Sequence, residues 1–206
     1  MVQIPAPIVA LIIVGIIVMY SAYVKSKSDH VISIDGINYK ISMKYDEDSY
    51  GLAVQRLTHI NQMLINLTAH LRNKYIRQNY GSERERRWAY NIWRRFDPSS
   101  ITENVPMSTK NTSWVRNKGE EMSLCLREKQ SGKNLIHDKG ILEFVALHEV
   151  SHIAEDNYGH ELNSFWPAFK FILTEAKEAG VHTPIDYAKT PTRYCGILVP
   201  ENPYFQ

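Results

Sequence analysis

The sequence GILEFVALHEVSHIA over residues 140–154 decides which fold the chain can adopt. Its apolar residues are nearly continuous, which is typical of a helix that is buried on most of its surface. His148 and His152 are four residues apart, so both imidazoles lie on one face of that helix. Glu149 adjoins the first of them. Because buried ionisable groups without partners are costly, the helix needs a common partner for these side chains.

A zinc ion would provide that partner. Zinc accepts histidine nitrogen and keeps one position for water in catalytic sites. The HExxH spacing places Glu149 beside the first ligand, where its carboxylate can take a proton from the water. The pattern therefore predicts His148 and His152 as zinc ligands and Glu149 as the catalytic base.

A third protein ligand is expected further along the chain, because catalytic zinc sites use three. His160 follows His152 by eight residues and is the first choice, with Glu161 as the runner-up. Glu155 and Asp156 follow His152 closely and are expected either to orient a ligand or to face solvent.

Two kinds of substrate contact are predicted from residues outside the motif. A developing oxyanion needs a hydrogen-bond donor, and Tyr187, Tyr194 and His182 are the candidates, each of which could equally be a packed side chain. The predicted strand Met122–Leu126 precedes the HExxH helix, and its edge could hold an extended substrate.

The remaining chain is predicted to alternate hairpins and helices. Residues 31–42 alternate in polarity around Asp35-Gly36, and a second hairpin is expected over 112–126. Apolar residues at helical spacing predict a helix over 51–80. Further helices are expected over 82–96 and 162–179, and the proline-rich tail is expected to be extended.

Residues 4–24 contain no charge and are long enough to cross a bilayer as a helix. A cleaved signal peptide is the weaker alternative, since no Lys or Arg precedes the apolar run. The sequence thus predicts a single-pass membrane anchor over 1–27 and a cytoplasmic domain over 28–206. That domain divides into a front half, 28–111, and a catalytic half, 112–206.

Charge is distributed unevenly along the predicted domain. Residues 25–136 carry 19 Lys and Arg against 12 Asp and Glu, whereas residues 137–206 carry 5 against 10. The basic residues concentrate in 72–96, where they alternate with Tyr and Trp. Such a stretch can contact nucleic acid or anionic lipid, and it can equally be an amphipathic helix with solvated arginines. The sequence does not indicate an oligomeric state.

Cysteine content limits the class of protein. The two cysteines, Cys125 and Cys195, are too few for a disulfide-rich scaffold, and a cytoplasmic location predicts that both are reduced core residues. With 22% charged and 11% aromatic residues, the chain is also unlike a disordered protein.

The HExxH region resembles the compact, gluzincin-type WLM and SprT-like zinc metallopeptidases. The resemblance covers about residues 110–206, which also look similar to WLM-like proteins of large DNA viruses. It implies a strand layer over the active-site helix, three histidines on zinc and Glu149 as base. The sequence differs from the family's DNA-repair members in two respects. It has a predicted N-terminal anchor, and it has no obvious DNA-binding zinc module at the C-terminus. The matching residues are His148, Glu149, His152, Gly159, His160, Phe165 and Trp166.

Together these observations predict an α+β fold in which a transmembrane helix precedes a small zincin-like domain with a short sheet on the HExxH helix. The expected function is a membrane-tethered zinc endopeptidase that acts on protein or peptide substrates. Two alternatives remain open: a non-catalytic, zinc-stabilised membrane adaptor, and a nucleic-acid-linked protease that acts on DNA-bound proteins.

Overall fold

The structure is a computed structural model that describes residues 6–42, 47–104, 112–128, 135–156 and 164–206. Within these ranges helices and strands are mixed, as the sequence predicts. The helices are α1 Ala6–Ser28, α2 Glu47–Leu71, α3 Glu83–Arg95, α4 Lys139–Ala154 and α5 Phe165–Glu178. The strands are β1 Asp29–Ile34, β2 Ile37–Ser42, β3 Ile101–Glu103, β4 Trp114–Arg116, β5 Glu121–Leu124, β6 Thr192–Tyr194 and β7 Ile197–Val199.

Five strands form one mixed sheet in the order β1-β2-β3-β5-β4. The two antiparallel pairs are the hairpins that the sequence predicts, and Asp35, Gly36 and the turn residues Asn117 and Lys118 adopt the left-handed φ that such turns require. β3 joins the hairpins through parallel pairing on both sides. Because β5 lies between β3 and β4, the predicted docking edge on Met122–Leu126 is wrong. Among the described strands, the edges of the sheet are β1 and β4.

The long helix α2 packs its apolar stripe against the sheet and against α4. Its fully buried residues recur every three or four positions, as the sequence predicts. At its end the helix widens into a π-helical turn, Arg72–Arg77, which the sequence does not predict. That turn places Tyr75 in the core, where its hydroxyl donates to Glu175 of α5 at 2.8 Å. The buried α2 residues include Leu57, Ile60, Leu64, Leu67 and Leu71.

Helix α3 fixes the C-terminal end of α4. It starts at a capping box in which Ser82 and Glu85 bond each other's backbone N–H groups. From its buried face, the Asn91 side-chain amide donates to the Ala154 carbonyl at 2.7 Å. Arg95 donates to the Ile153 carbonyl at 3.1 Å. These bonds satisfy carbonyls that the last turn of a helix leaves open.

The N-terminal prediction needs correction. Residues 6–28 are helical, but α1 continues through Lys25 and Lys27 to Ser28, so its apolar part is shorter than the helix. In the part of the chain that the structure describes, no helix combines the length and apolarity needed to cross a membrane. The transmembrane anchor over 1–27 is therefore not supported, nor is the single-pass membrane location that depended on it.

The C-terminal tail also differs from prediction. Instead of a wholly extended segment, β6 and β7 form a hairpin whose turn, Cys195-Gly196, has left-handed φ at both residues. Cys195 is bonded to Cys125, which follows β5. The prediction of two reduced cysteines is therefore wrong for this structure, and the disulfide attaches the hairpin to the main sheet.

Candidate functional site

The two motif histidines lie together on α4, as the HExxH spacing predicts. The ring centroids of His148 and His152 are 5.1 Å apart, and the rings meet edge to face at 78°. Both side chains are half-buried, whereas their helical neighbours are mostly buried. The two imidazoles therefore face the same space at the surface of the helix.

Aromatic residues of α5 hold these imidazoles in position. The Phe165 ring lies 4.6 Å from the His152 ring and 5.0 Å from the His148 ring, measured between centroids. Phe169 meets His148 edge to face at 5.1 Å. The helix begins at Phe165 with Pro167 in its first turn, where a missing N–H costs little. Phe165 thus contacts both histidines.

Glu149 lies beside His148 and is 5% exposed. Burial raises the pKa of its carboxyl group to about 8, because the ionised form is poorly solvated there. A carboxyl group that titrates near neutral pH is suited to accepting and returning a proton. The environment of Glu149 is therefore compatible with the role of general base.

A cavity of about 500 Å³ opens over this face of α4. Its floor carries His148, Glu149 and His152. One wall is the edge strand β4 with the residues before it, and the other is β7 with the chain that follows. Apolar side chains dominate the lining, which includes Trp114, Val115, Phe144, Trp166, Phe169, Ile197, Leu198 and Val199.

The structure separates the three predicted oxyanion donors. Tyr194 lines the cavity, and its hydroxyl lies 2.6 Å from the Ser113 hydroxyl. Burial raises the pKa of Tyr194, so the phenol stays protonated and can donate. Tyr187 is buried against Phe144 and is not among the described residues that line this cavity. His182 is also absent from the described lining, since its Nδ1 bonds Glu143 at 2.8 Å.

The acidic residues that follow His152 contact α3. Glu155 accepts a hydrogen bond from the Trp88 indole N–H, and Asp156 pairs with Arg95 at 2.6 Å. In the described contacts both anchor the end of α4 and neither bonds a motif histidine. The predicted third ligand, His160, and its runner-up, Glu161, lie outside the described residues.

Lys118 is a cavity residue that sequence reasoning missed. Its ammonium group donates to the backbone carbonyl of His152 at 3.2 Å, and the residue lines the cavity. Burial lowers the pKa of Lys118, as does the nearby Arg95. The hairpin signal at Asn117-Lys118-Gly119 predicts a turn, but nothing in it indicates that the turn reaches α4.

The cavity floor carries two residues of the type that binds a catalytic zinc ion. Two imidazoles share one space, and a carboxylate lies next to the first. Catalytic zinc takes such histidine pairs together with one further protein ligand and a water molecule. The described part of the chain supplies the pair, and the sequence predicts the further ligand at His160.

The basic stretch 72–96 divides between core and surface. Tyr75 and Trp88 are buried, so two of its aromatics are core residues. Tyr90 is 48% exposed, and the Arg72 guanidinium stacks 5.0 Å from the Trp93 ring centroid. Contact with nucleic acid or anionic lipid stays a prediction.

Comparison with known proteins finds relatives in large viruses. The chain is 33% identical over 108 residues to "Uncharacterized protein R325" of Acanthamoeba polyphaga mimivirus, covering 52% of this chain and 53% of that protein. It is 31% identical over 83 residues to "Uncharacterized protein 136R" of Invertebrate iridescent virus 6, covering 40% and 46%. The chain thus spans about half the length of these relatives. No protein-family model and no solved structure matches it.

Proposed function

We propose that the chain is a zinc-dependent endopeptidase that hydrolyses peptide bonds of protein substrates. The observation that supports this best is the shared cavity, in which two imidazoles and the Glu149 carboxylate lie beside an edge strand. A zinc ion on these imidazoles would make water more acidic and polarise a substrate carbonyl. The similarity to viral proteins is compatible with a viral enzyme but does not indicate its activity.

Residues of the cavity have different roles in the proposed reaction. Glu149 accepts the proton of the attacking water and delivers it to the leaving amine. The Tyr194 phenol, held by Ser113, donates to the oxygen on which charge develops. Phe165 keeps both imidazoles in a fixed orientation, which preserves the geometry between turnovers.

The position of β4 supports an extended polypeptide as the substrate. Among the described strands, β4 pairs with β5 alone, so its outer edge can pair with a substrate strand across the cavity. Such pairing holds the backbone, and the apolar walls then receive side chains. A folded protein could not enter a cleft of about 500 Å³, so the substrate must supply an unfolded or flexible segment.

The proposal is tested by zinc content together with hydrolysis of an unfolded protein. The purified chain should bind one zinc in this site and cut an unfolded substrate, and a chelator should stop the cutting until zinc is restored. His148→Ala and His152→Ala should each lose both properties, whereas the control His59→Ala, on α2, should keep them. Zinc binding without any cutting would favour the non-catalytic alternative.

A nucleic-acid-linked protease is the second candidate, and the surface of α3 favours it. Arg87, Tyr90 and Arg94 are exposed and recur at helical spacing, next to the stacked pair Arg72 and Trp93. Single-stranded nucleic acid binds where cations and aromatic faces alternate in this way. Binding of single-stranded DNA should weaken steeply as the salt concentration rises, and cleavage of a protein substrate should increase when DNA is added. DNA binding that does not depend on salt would exclude this candidate.

A further inference from the structure

Three ligand-type side chains converge at a second place, outside the HExxH cavity. Cys125, His137 and Cys195 each offer one ligand atom, and these atoms lie within 4.8 Å of one another. All three residues are buried. They come from different parts of the chain: the end of β5, the segment before α4 and the β6–β7 turn.

The spacing of these atoms matches what zinc requires. In a tetrahedral site with Zn–S of about 2.3 Å and Zn–N of about 2.0 Å, sulfur and nitrogen ligands lie about 3.5 Å apart. The Cys195 sulfur and His137 Nε2 are 3.5 Å apart. Two sulfur ligands would lie about 3.8 Å apart, so the disulfide partners would need to separate. His137 Nε2 accepts a hydrogen bond from the Cys195 backbone N–H at 3.2 Å and would give up that bond to bind the metal.

A fourth ligand is available next to the three. The Glu128 carboxylate oxygen lies 3.9 Å from His137 Nε2, close to the roughly 3.4 Å that separates nitrogen and oxygen ligands of tetrahedral zinc. Glu128 stays near this position because its backbone N–H donates to the Leu135 carbonyl at 2.9 Å, next to the bridge between Arg127 and Ile136.

We propose that Cys125, Cys195, His137 and Glu128 form a second zinc site when the disulfide is reduced. The same two cysteines then carry either the S–S bond or a metal ion, never both. Reduction by a phosphine transfers two electrons to the sulfurs and breaks the S–S bond, while the phosphine takes oxygen from water. The two thiols release two protons as zinc binds.

This exchange has a structural consequence for the HExxH cavity. β7 forms one wall of that cavity, and the disulfide attaches its hairpin to the main sheet. In a reducing compartment the bond is lost, because cytosolic thiols are kept reduced. A zinc ion on the same residues would then attach the hairpin in its place.

Cobalt binding to the reduced chain tests the proposal. After reduction with a phosphine, the full chain should bind one more Co²⁺ than the oxidised chain and gain a thiolate-to-cobalt charge-transfer band. The HExxH residues include no thiolate, so His148→Ala with His152→Ala should keep this band even if the proposed peptidase site fails. The proposal would be overturned if the reduced chain bound the additional Co²⁺ without gaining the band. It would also be overturned if the double variant Cys125→Ser with Cys195→Ser still bound the additional Co²⁺.

Two further measurements do not depend on the folding of the serine variant. In the reduced wild-type chain, zinc should slow alkylation of both cysteines at least tenfold, and equal alkylation rates with and without zinc would contradict the site. Glu128→Gln should weaken Co²⁺ binding at the thiolate band at least tenfold. The control Glu120→Gln, in the exposed β4–β5 turn, should leave it unchanged; equal affinities of the two variants would contradict the four-residue site.

Discussion

The ion pair between Arg127 and Glu103 is expected to be the most sensitive charged contact of the fold. Arg127 Nε lies 2.6 Å from a Glu103 oxygen, and both side chains are 1% exposed. The other Glu103 oxygen accepts from the Ser42 backbone N–H at 2.8 Å, and Arg127 also donates to the Ser49 hydroxyl at 2.7 Å. The pair therefore joins β2, β3, the end of β5 and the start of α2.

Glu103→Gln removes the charge of the carboxylate but keeps its shape. The guanidinium is then left buried without its counter-ion, and the free energy of unfolding should fall by about 3–5 kcal/mol. A matched control exists in the hairpin β4–β5, where Arg116 and Glu121 also lie 2.6 Å apart but have side chains 62% and 28% exposed. Glu121→Gln should cost less than about 1 kcal/mol, because water screens the exposed pair.

Urea unfolding, followed by far-ultraviolet circular dichroism, measures both losses. The slope with urea should not change, so that the shift in midpoint reports stability alone. Replacing both partners with apolar residues, Arg127→Met with Glu103→Leu, should recover most of the loss. If Glu103→Gln and Glu121→Gln lower the free energy of unfolding by the same amount within about 1 kcal/mol, burial does not determine how strongly an ion pair stabilises this fold.

Three further perturbations test the fold. Gly119→Ala should lower the free energy of unfolding by about 3 kcal/mol, measured by thermal unfolding, because φ is +120° and the new Cβ would lie 2.5 Å from a carbonyl oxygen of α3. In the control Gly36→Ala the new Cβ has open space, so the loss should be smaller. Reducing Cys125–Cys195 in zinc-free buffer should lower stability by about 4 kcal/mol for a closed loop of 70 residues; an unchanged urea midpoint would contradict this. Burial opposes ionisation of Glu143, but hydrogen bonds from two histidines lower its pKa below the ordinary 4.5. The ionised carboxylate therefore stabilises the fold above that pH, stability should decline as the pH falls below it, and Glu143→Gln should flatten the decline.

Local patterns allowed much of the fold to be predicted from the sequence. Asp35-Gly36 specifies a hairpin turn because few other residues adopt its φ values, and apolar residues at helical spacing specify the long helix α2. The pairing of His148 and His152 follows from helical periodicity alone. These predictions succeed because each depends on residues only a few positions apart.

Features that depend on distant residues could not be predicted in this way. The parallel pairing of β3 with β2 and β5 sets which edge of the sheet is open, and no short-range signal encodes it. The disulfide joins residues 70 positions apart, and the cytoplasmic location that argued against it came from the predicted anchor. Lys118 enters the cavity only because its turn packs against the end of α4.

The substitution Glu149→Gln separates hydrolysis from metal binding, because the proposed mechanism uses this carboxylate as a base and not as a ligand. Zinc content and hydrolysis of an unfolded protein are measured on the same preparation, with Glu143→Gln, a buried carboxylate on another face of the same helix, as the control. Glu149→Gln should keep its zinc and lose hydrolysis at least a hundredfold, as expected when a general base is removed. Full hydrolysis by Glu149→Gln would rule out Glu149 as the base of the proposed reaction.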